Sequence, residues 1–216
     1  MTPFGASDTV RRAFLRQFLH DLATPLSAVS LHLEGADRRA RKGGDPSESL
    51  AIARTELSKA FELFELGREL LVAPPRESRV FPFDDWVAEA VAARGESGVA
   101  VSGETGGLVQ ADRGSLLEAL SALLANALAV SPPEEVRVRR EREGNRLKVI
   151  VENPGRLPGE DPEKLFAPRA AAPGKNWGMG LARARLTVAD AGGSLVLSQR
   201  EERVSATLEL PEEAKT

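Results

Sequence analysis

From about Val10 to Arg41 apolar residues recur on one side of a helical wheel, and this stripe limits the possible folds more than any other feature. An α-helix turns about 100° per residue. With Phe18 set at zero, Phe14, Leu15, Leu22, Leu26, Val29 and Leu33 fall within an arc of roughly 120°. His20 falls at about 200°, with Thr24 about 40° from it, one turn along the same face. His20 is therefore not a core residue. The ordinary reading of such a position is a surface histidine. A neutral imidazole held on the wet side of a helix can also act as a nucleophile or proton carrier near neutral pH, and Asp21 stands beside it. His32 lies at the edge of the apolar arc and reads as structural.

Pro25 removes one helical hydrogen bond, so a kink is predicted there. Lys42-Gly43-Gly44-Asp45-Pro46 is a turn, and Ser47 with Glu48 begins a second helix. In that helix Leu50, Leu57, Phe61, Phe64 and Leu71 share a narrow face. Two helices joined by a short turn form an antiparallel hairpin. One hairpin buries only one stripe per helix, so the simplest completion is a homodimer whose paired hairpins make a four-helix bundle. The alternative is packing of the hairpin on its own C-terminal domain.

Ala73-Pro74-Pro75-Arg76-Glu77-Ser78 reads as a linker, dividing a hairpin domain, 1–75, from a second domain, 76–216. In the second, Phe81 and Phe83 suggest a short strand and Asp84–Ala93 a helix. Val99–Ser102 and Leu108–Gln110 are short strands, and Gly114–Val130 is an apolar helix. Val136–Arg140 and Leu147–Glu152 read as strands joined by a Gly144-Asn145 turn. A helix over Gly180–Ala191 precedes two closing strands, Ser194–Arg200 and Arg203–Leu210. The fold class is α+β, with helices layered on one face of a mixed sheet.

The net charge of −3 gives no general nucleic-acid footprint, and the absence of cysteine excludes disulfides and thiolate chemistry. No apolar run approaches the ~18–20 residues that span a bilayer, so no membrane span and a cytoplasmic location are expected. A stimulus would then be sensed by a separate upstream protein or by the chain itself.

Three segments of the second domain hold the residue types of a nucleotide site. Asn126, within Leu123-Leu124-Ala125-Asn126-Ala127, offers a neutral oxygen on an apolar helix, suited to Mg²⁺ that also holds phosphate oxygens. Val149–Gly155 is a strand running into a turn, which places Asn153 and the Gly155 backbone at a sheet end where a base edge could be bonded. Gly174–Ala182 is a glycine-rich loop opening a helix, containing Lys175, Gly178 and Gly180; free N–H groups there favour phosphate.

At this point the chain resembles the bacterial sensor histidine kinases of two-component systems. His20-Asp21-Leu22-Ala23-Thr24-Pro25-Leu26 looks like their H-box and Leu123–Ala127 their N-box. Val151-Glu152-Asn153-Pro154-Gly155 stands at the first glycine box. Leu165-Phe166-Ala167-Pro168 resembles the phenylalanine box, and Gly178-Met179-Gly180-Leu181-Ala182 the second glycine box. The resemblance implies a dimeric helical bundle joined to an ATP-binding α/β sandwich. By it, His20 takes the γ-phosphoryl of ATP, Asp21 holds or deprotonates the ring, and Thr24 orients water for dephosphorylation. Asn126 ligates Mg²⁺, Asn153 reads the adenine amino group, and Gly178 and Gly180 border the phosphates. The phosphoryl group then passes to an aspartate of a response-regulator receiver domain.

The departures from the family pattern are specific. Ala122 stands where the N-box usually has a further asparagine, and Ala129 where it has a lysine. Asn153 replaces the aspartate of the first glycine box, whose second glycine has no clear equivalent in Arg156-Leu157-Pro158. Lys175 or Arg169 is the candidate substitute for the missing cation. Two functions therefore stand side by side: an ATP-dependent histidine kinase, and a histidine phosphotransferase with a degenerate ATP site relaying phosphoryl groups between response regulators. A non-catalytic binding protein of the same fold is the remaining reading.

Overall fold

The computed structural model describes residues 6–71, 77–95, 97–159, 161–166 and 180–214. The chain divides into two compact units, one built on the helical hairpin and one on the α/β domain.

In the hairpin, α1 (Ala6–Arg41) continues through Pro25 as one helix, beginning earlier than the apolar pattern does. The turn after it leads to α2 (Ser47–Leu71), whose start is fixed by Asp45. The Asp45 carboxylate accepts the Ser47 N–H at 2.9 Å and its hydroxyl at 2.6 Å, satisfying a helix N–H that has no intrahelical partner. The helices are antiparallel: Phe18 of α1 lies on Gly67 of α2, and Arg39 reaches Ser49 at the other end. Phe14 and Phe18 stack with centroids 6.0 Å apart and, with Ala36, Ala53, Ala60 and Leu63, form the buried seam.

That seam uses only part of the apolar stripe. Leu15, Leu19, Leu26 and Leu33 on α1 and Leu50, Leu57, Phe61 and Phe64 on α2 are exposed, Phe61 at 61% and Phe64 at 50%. The α1 residues sit about 60–100° around the helix from Phe18, beside the buried edge rather than on it. The arc read from sequence thus splits into an edge that closes the hairpin and an edge left open.

The second unit begins with β1 (Arg79–Pro82), which pairs antiparallel with β3 (Leu108–Ala111) in a small sheet of its own. Phe83, expected to continue the first strand, instead opens α3 (Phe83–Ala92). Its N–H bonds the Gly107 carbonyl at 3.0 Å, and its ring packs tilted on Trp86 at 5.5 Å. Phe81 and Phe83 both point into the core, but from a strand end and a helix start, which imitates period-two alternation.

Five strands make the main sheet in the order β2-β4-β5-β7-β6. They are β2 (Ala100–Ser102), β4 (Arg137–Glu143), β5 (Arg146–Pro154), β6 (Ser194–Arg200) and β7 (Arg203–Pro211). Only β2 and β4 pair in parallel, so the sheet is mixed. The registers align Val138, Val151, Ala206 and Leu197 across four strands in one row, and Val149, Leu208 and Leu195 in the next. On this face lie α3, α4 (Arg113–Leu128) and α5 (Gly180–Asp190), with Trp86, Leu116, Leu120, Leu123, Ala184 and Val188 completing the core. The opposite face is polar: Arg139 bonds Glu152 through Nε at 3.1 Å and Glu141 through Nη1 at 2.6 Å. These carboxylates hold the Arg139 guanidinium pKa above its usual value, the Glu152 hydrogen bond contributing most. A helical hairpin followed by a helix-covered mixed sheet is the α+β class expected from the sequence.

Candidate functional site

The helix around His20 turns its imidazole outward, with the side chain 77% exposed. His20 Nδ1 lies 3.2 Å from Asp21 Oδ1, although residues i and i+1 do not share a helix face. The Asp21 carboxylate, only 20% exposed, is steadied by Gln17 Nε2, which donates to the same Oδ1 at 2.7 Å. Gln17 was not singled out from the sequence; its signal is the i, i+4 spacing to Asp21. Thr24 donates its hydroxyl to the His20 carbonyl at 3.4 Å, one turn back along the helix. A carboxylate can only accept from the ring, so it favours the tautomer with hydrogen on Nδ1 and leaves the Nε2 lone pair free.

In the α/β unit Asp112 caps α4, accepting the Ser115 N–H at 2.8 Å, and this sets the helix register that carries Asn126. Asn126 is exposed, one turn from Ala122 on the same face. Gly180, the first residue of α5, adjoins Ala122 so closely that an added Cβ would lie 3.5 Å from the alanine methyl. The start of α5 and the Ala122–Asn126 face of α4 are thereby brought together. Among the described residues no group of three or more acidic or histidine side chains could hold a metal. Asn126 would offer Mg²⁺ one side-chain oxygen, which fits an ion that keeps its waters and binds through phosphates.

Asn153 sits at the end of β5 and is buried. Its Nδ2 donates to the Pro154 carbonyl at 2.6 Å and faces the Ser131 hydroxyl at 3.4 Å. Gly155 has φ 134°, a conformation open to glycine, and its N–H bonds the Glu202 carbonyl at 2.8 Å. The next turn is held by Gln199, which accepts the Leu157 N–H at 2.9 Å. The β6–β7 hairpin therefore supports the loop after Asn153, through partners more than forty residues away in sequence.

Arg185 of α5 is a further residue the sequence did not flag. Its guanidinium stacks 4.4 Å from the Phe166 ring centroid and donates to Glu163 at 2.6 Å, fastening the short 3-10 helix Pro162–Phe166 to α5. Lys175 and Gly178, with the rest of the stretch 167–179, lie outside the described residues, as do Arg169 and linker residues Ala73–Arg76.

The sequence model of the histidine kinase-, DNA gyrase B- and HSP90-like ATPase family matches residues 111–214, the segment that holds Asn126, Asn153, Gly155 and Gly180. The α/β unit has the fold of the catalytic domains of histidine kinases. Solved structures agree. The nucleotide-free catalytic domain of the histidine kinase ThkA superposes with a TM-score of 0.55 at 24% identity, covering 63% of this chain and 96% of that one. The histidine kinase AdeS of Acinetobacter baumannii matches with a TM-score of 0.55 at 20% identity over 90% of this chain and 98% of its own. ThkA solved in complex with the response regulator TrrA gives 0.55 at 20% identity, over 90% of this chain and 60% of that one. No curated protein matches the chain in sequence. At these identities the structures establish the fold, a helical hairpin followed by an ATPase-like α/β domain.

Proposed function

We propose that the chain is an ATP-dependent histidine kinase core that phosphorylates His20 and passes the phosphoryl group to an aspartate of a response regulator. The observation that carries this reading is the exposed His20 ring with Nδ1 against the anchored Asp21 carboxylate. With the Nδ1 hydrogen engaged, the Nε2 lone pair attacks the γ-phosphorus of ATP and the bond to the ADP oxygen breaks. Positive charge gathering on the ring is met by the Asp21 carboxylate. Asn153 would accept from the purine amino group, and Asn126 would help hold Mg²⁺, which supplies charge neutralisation when bound. In a separate hydrolytic step Thr24, one turn from His20, positions the water that takes up the phosphoryl group as inorganic phosphate. The response regulator is proposed from the fold and from the relative ThkA, whose solved complex contains one.

The open apolar edges of α1 and α2 support a homodimer, because a second hairpin covers both at once. We assign the hairpin, 1–75, to phosphoacceptance and dimerisation, and 76–216 to nucleotide binding.

One feature favours the phosphotransferase reading: Ala122 and Ala129 flank Asn126 with methyl groups in place of polar side chains. The test is ATP labelled in the γ-phosphate. The kinase incorporates label, and His20→Ala loses all of it. Incorporation only from a phosphorylated receiver domain, never from ATP, establishes the relay instead.

A further inference from the structure

Asn153 ends β5 as a buried amide, and an amide has two ends. Its Oδ1 can accept from a 6-aminopurine, while a flipped side chain would present Nδ2 to the oxygen of a 6-oxopurine. Which end is offered is therefore a question of nucleotide selection.

The surroundings answer it. The Pro154 carbonyl stands 2.6 Å from one end of the amide, and a carbonyl oxygen can only accept, so that end is the NH₂ group. The Ser131 hydroxyl donates to the same carbonyl at 3.2 Å. Its hydrogen is thereby spent, and its oxygen faces Nδ2 at 3.4 Å as an acceptor. Two acceptors converge on the two N–H bonds. A flipped amide would set Oδ1 against the Pro154 carbonyl, two oxygens with no hydrogen between them. Ser131 and Asn153 are both buried, so water does not relieve that conflict cheaply. Oδ1 takes no hydrogen bond from any described residue and is the end left to read a ligand.

We propose that Ser131 is a positioning residue that, with the Pro154 carbonyl, locks the Asn153 amide in one orientation and so makes the domain select 6-aminopurine over 6-oxopurine nucleotides. The inference rests on the nucleotide-binding reading above and adds the base preference and its cause. It separates this chain from a domain reading the base with a carboxylate, which has no donor end to suppress.

Calorimetric titration of the full chain with ADP and with IDP tests it by binding alone. The wild-type chain is expected to bind ADP at least about tenfold more tightly than IDP, the worth of one neutral hydrogen bond. Ser131→Ala removes one of the two acceptors and lowers that ratio about threefold, whereas Ser131→Thr, which keeps the hydroxyl, preserves it. A loss of fold or of general affinity moves both nucleotides together and leaves the ratio in place. Equal wild-type affinities for ADP and IDP overturn the proposal while leaving nucleotide binding intact. So does a ratio unchanged in Ser131→Ala. If neither nucleotide binds at millimolar concentration, the kinase reading fails and this inference fails with it. Should Ser131→Ala not fold, the wild-type ratio and the Ser131→Thr comparison still decide.

Discussion

The hairpin and the α/β unit contain similar residue types but finish their cores differently. The α/β unit closes on itself: Trp86, Phe83, Leu116, Leu120, Leu147 and Leu208 are all fully buried, and the apolar rows of four strands meet three helices. The hairpin buries one thin seam around Phe14, Phe18 and Leu63 and, among the described residues, leaves ten large apolar side chains on α1 and α2 open. One unit is complete as a single chain. The other, on the proposed dimer, is half of an assembly. The same contrast runs through the proposed sites, since His20 is set beside a carboxylate of its own helix, whereas Asn153 and its loop are held by partners brought from Ser131, Pro154 and the β6–β7 hairpin.

The largest break in this comparison is expected at the open edge of the hairpin. Phe61→Asp puts a charge into the proposed interface, and a two-fold dimer contains it twice. Loss of a large aromatic anchor costs about 2 kcal/mol or more per site, so the two copies together weaken the dimer roughly 1,000-fold. Sedimentation of wild type and variant at micromolar concentration reads this directly. A wild-type chain that is already monomeric there removes the half-assembly reading. Helix content of the α/β unit should not change.

Next in size is Asp21→Asn. The amide can still occupy the space beside His20, but it can offer N–H as well as oxygen to Nδ1 and carries no charge to balance the ring. Positioned base or orienting groups contribute about 100-fold or more to proton-coupled steps. The initial rate of label incorporation into His20 should fall by about that factor, with ADP affinity unchanged. Equal rates would show that the 3.2 Å contact does not bear on the reaction.

Legibility in the sequence follows the range of the interactions. Helices α1, α2, α4 and α5 and the central strands were readable because their apolar periods are local, as in the Val149–Val151 run that becomes the middle of β5. The placement of His20, Asp21 and Thr24 is legible for the same reason, all three lying within two turns of one helix. Phe83 reads as strand from the sequence because its partners, the Gly107 carbonyl and the Trp86 ring, decide between strand and helix and only one of them is near in sequence. Ser131 was not visible as a site residue. A Ser-Pro pair after a helix reads as a turn, and only the Pro154 carbonyl twenty-three positions on gives its hydroxyl a task. Arg185 likewise acquires its role from Phe166 and Glu163 in another element.

The smallest effect is the one that isolates the hairpin from the α/β unit. Gly67 of α2 lies under the Phe18 ring, and a Cβ there would overlap three of its ring carbons. Phe18 is two residues before His20, and its burial fixes the rotation of α1 about its axis, hence the outward direction of the imidazole. Gly67→Ala improves helix propensity by about 1 kcal/mol in principle, yet it forces the ring from its place, and overpacking of this kind costs about 1–3 kcal/mol. The net expectation is a destabilised hairpin, with a thermal transition lowered by a few degrees. Because the α/β unit has its own core, calorimetry should show a second transition that does not move. A single transition that shifts as a whole would mean the two units unfold together, and the contrast between a complete unit and a half-built one would have to be redrawn as one cooperative structure.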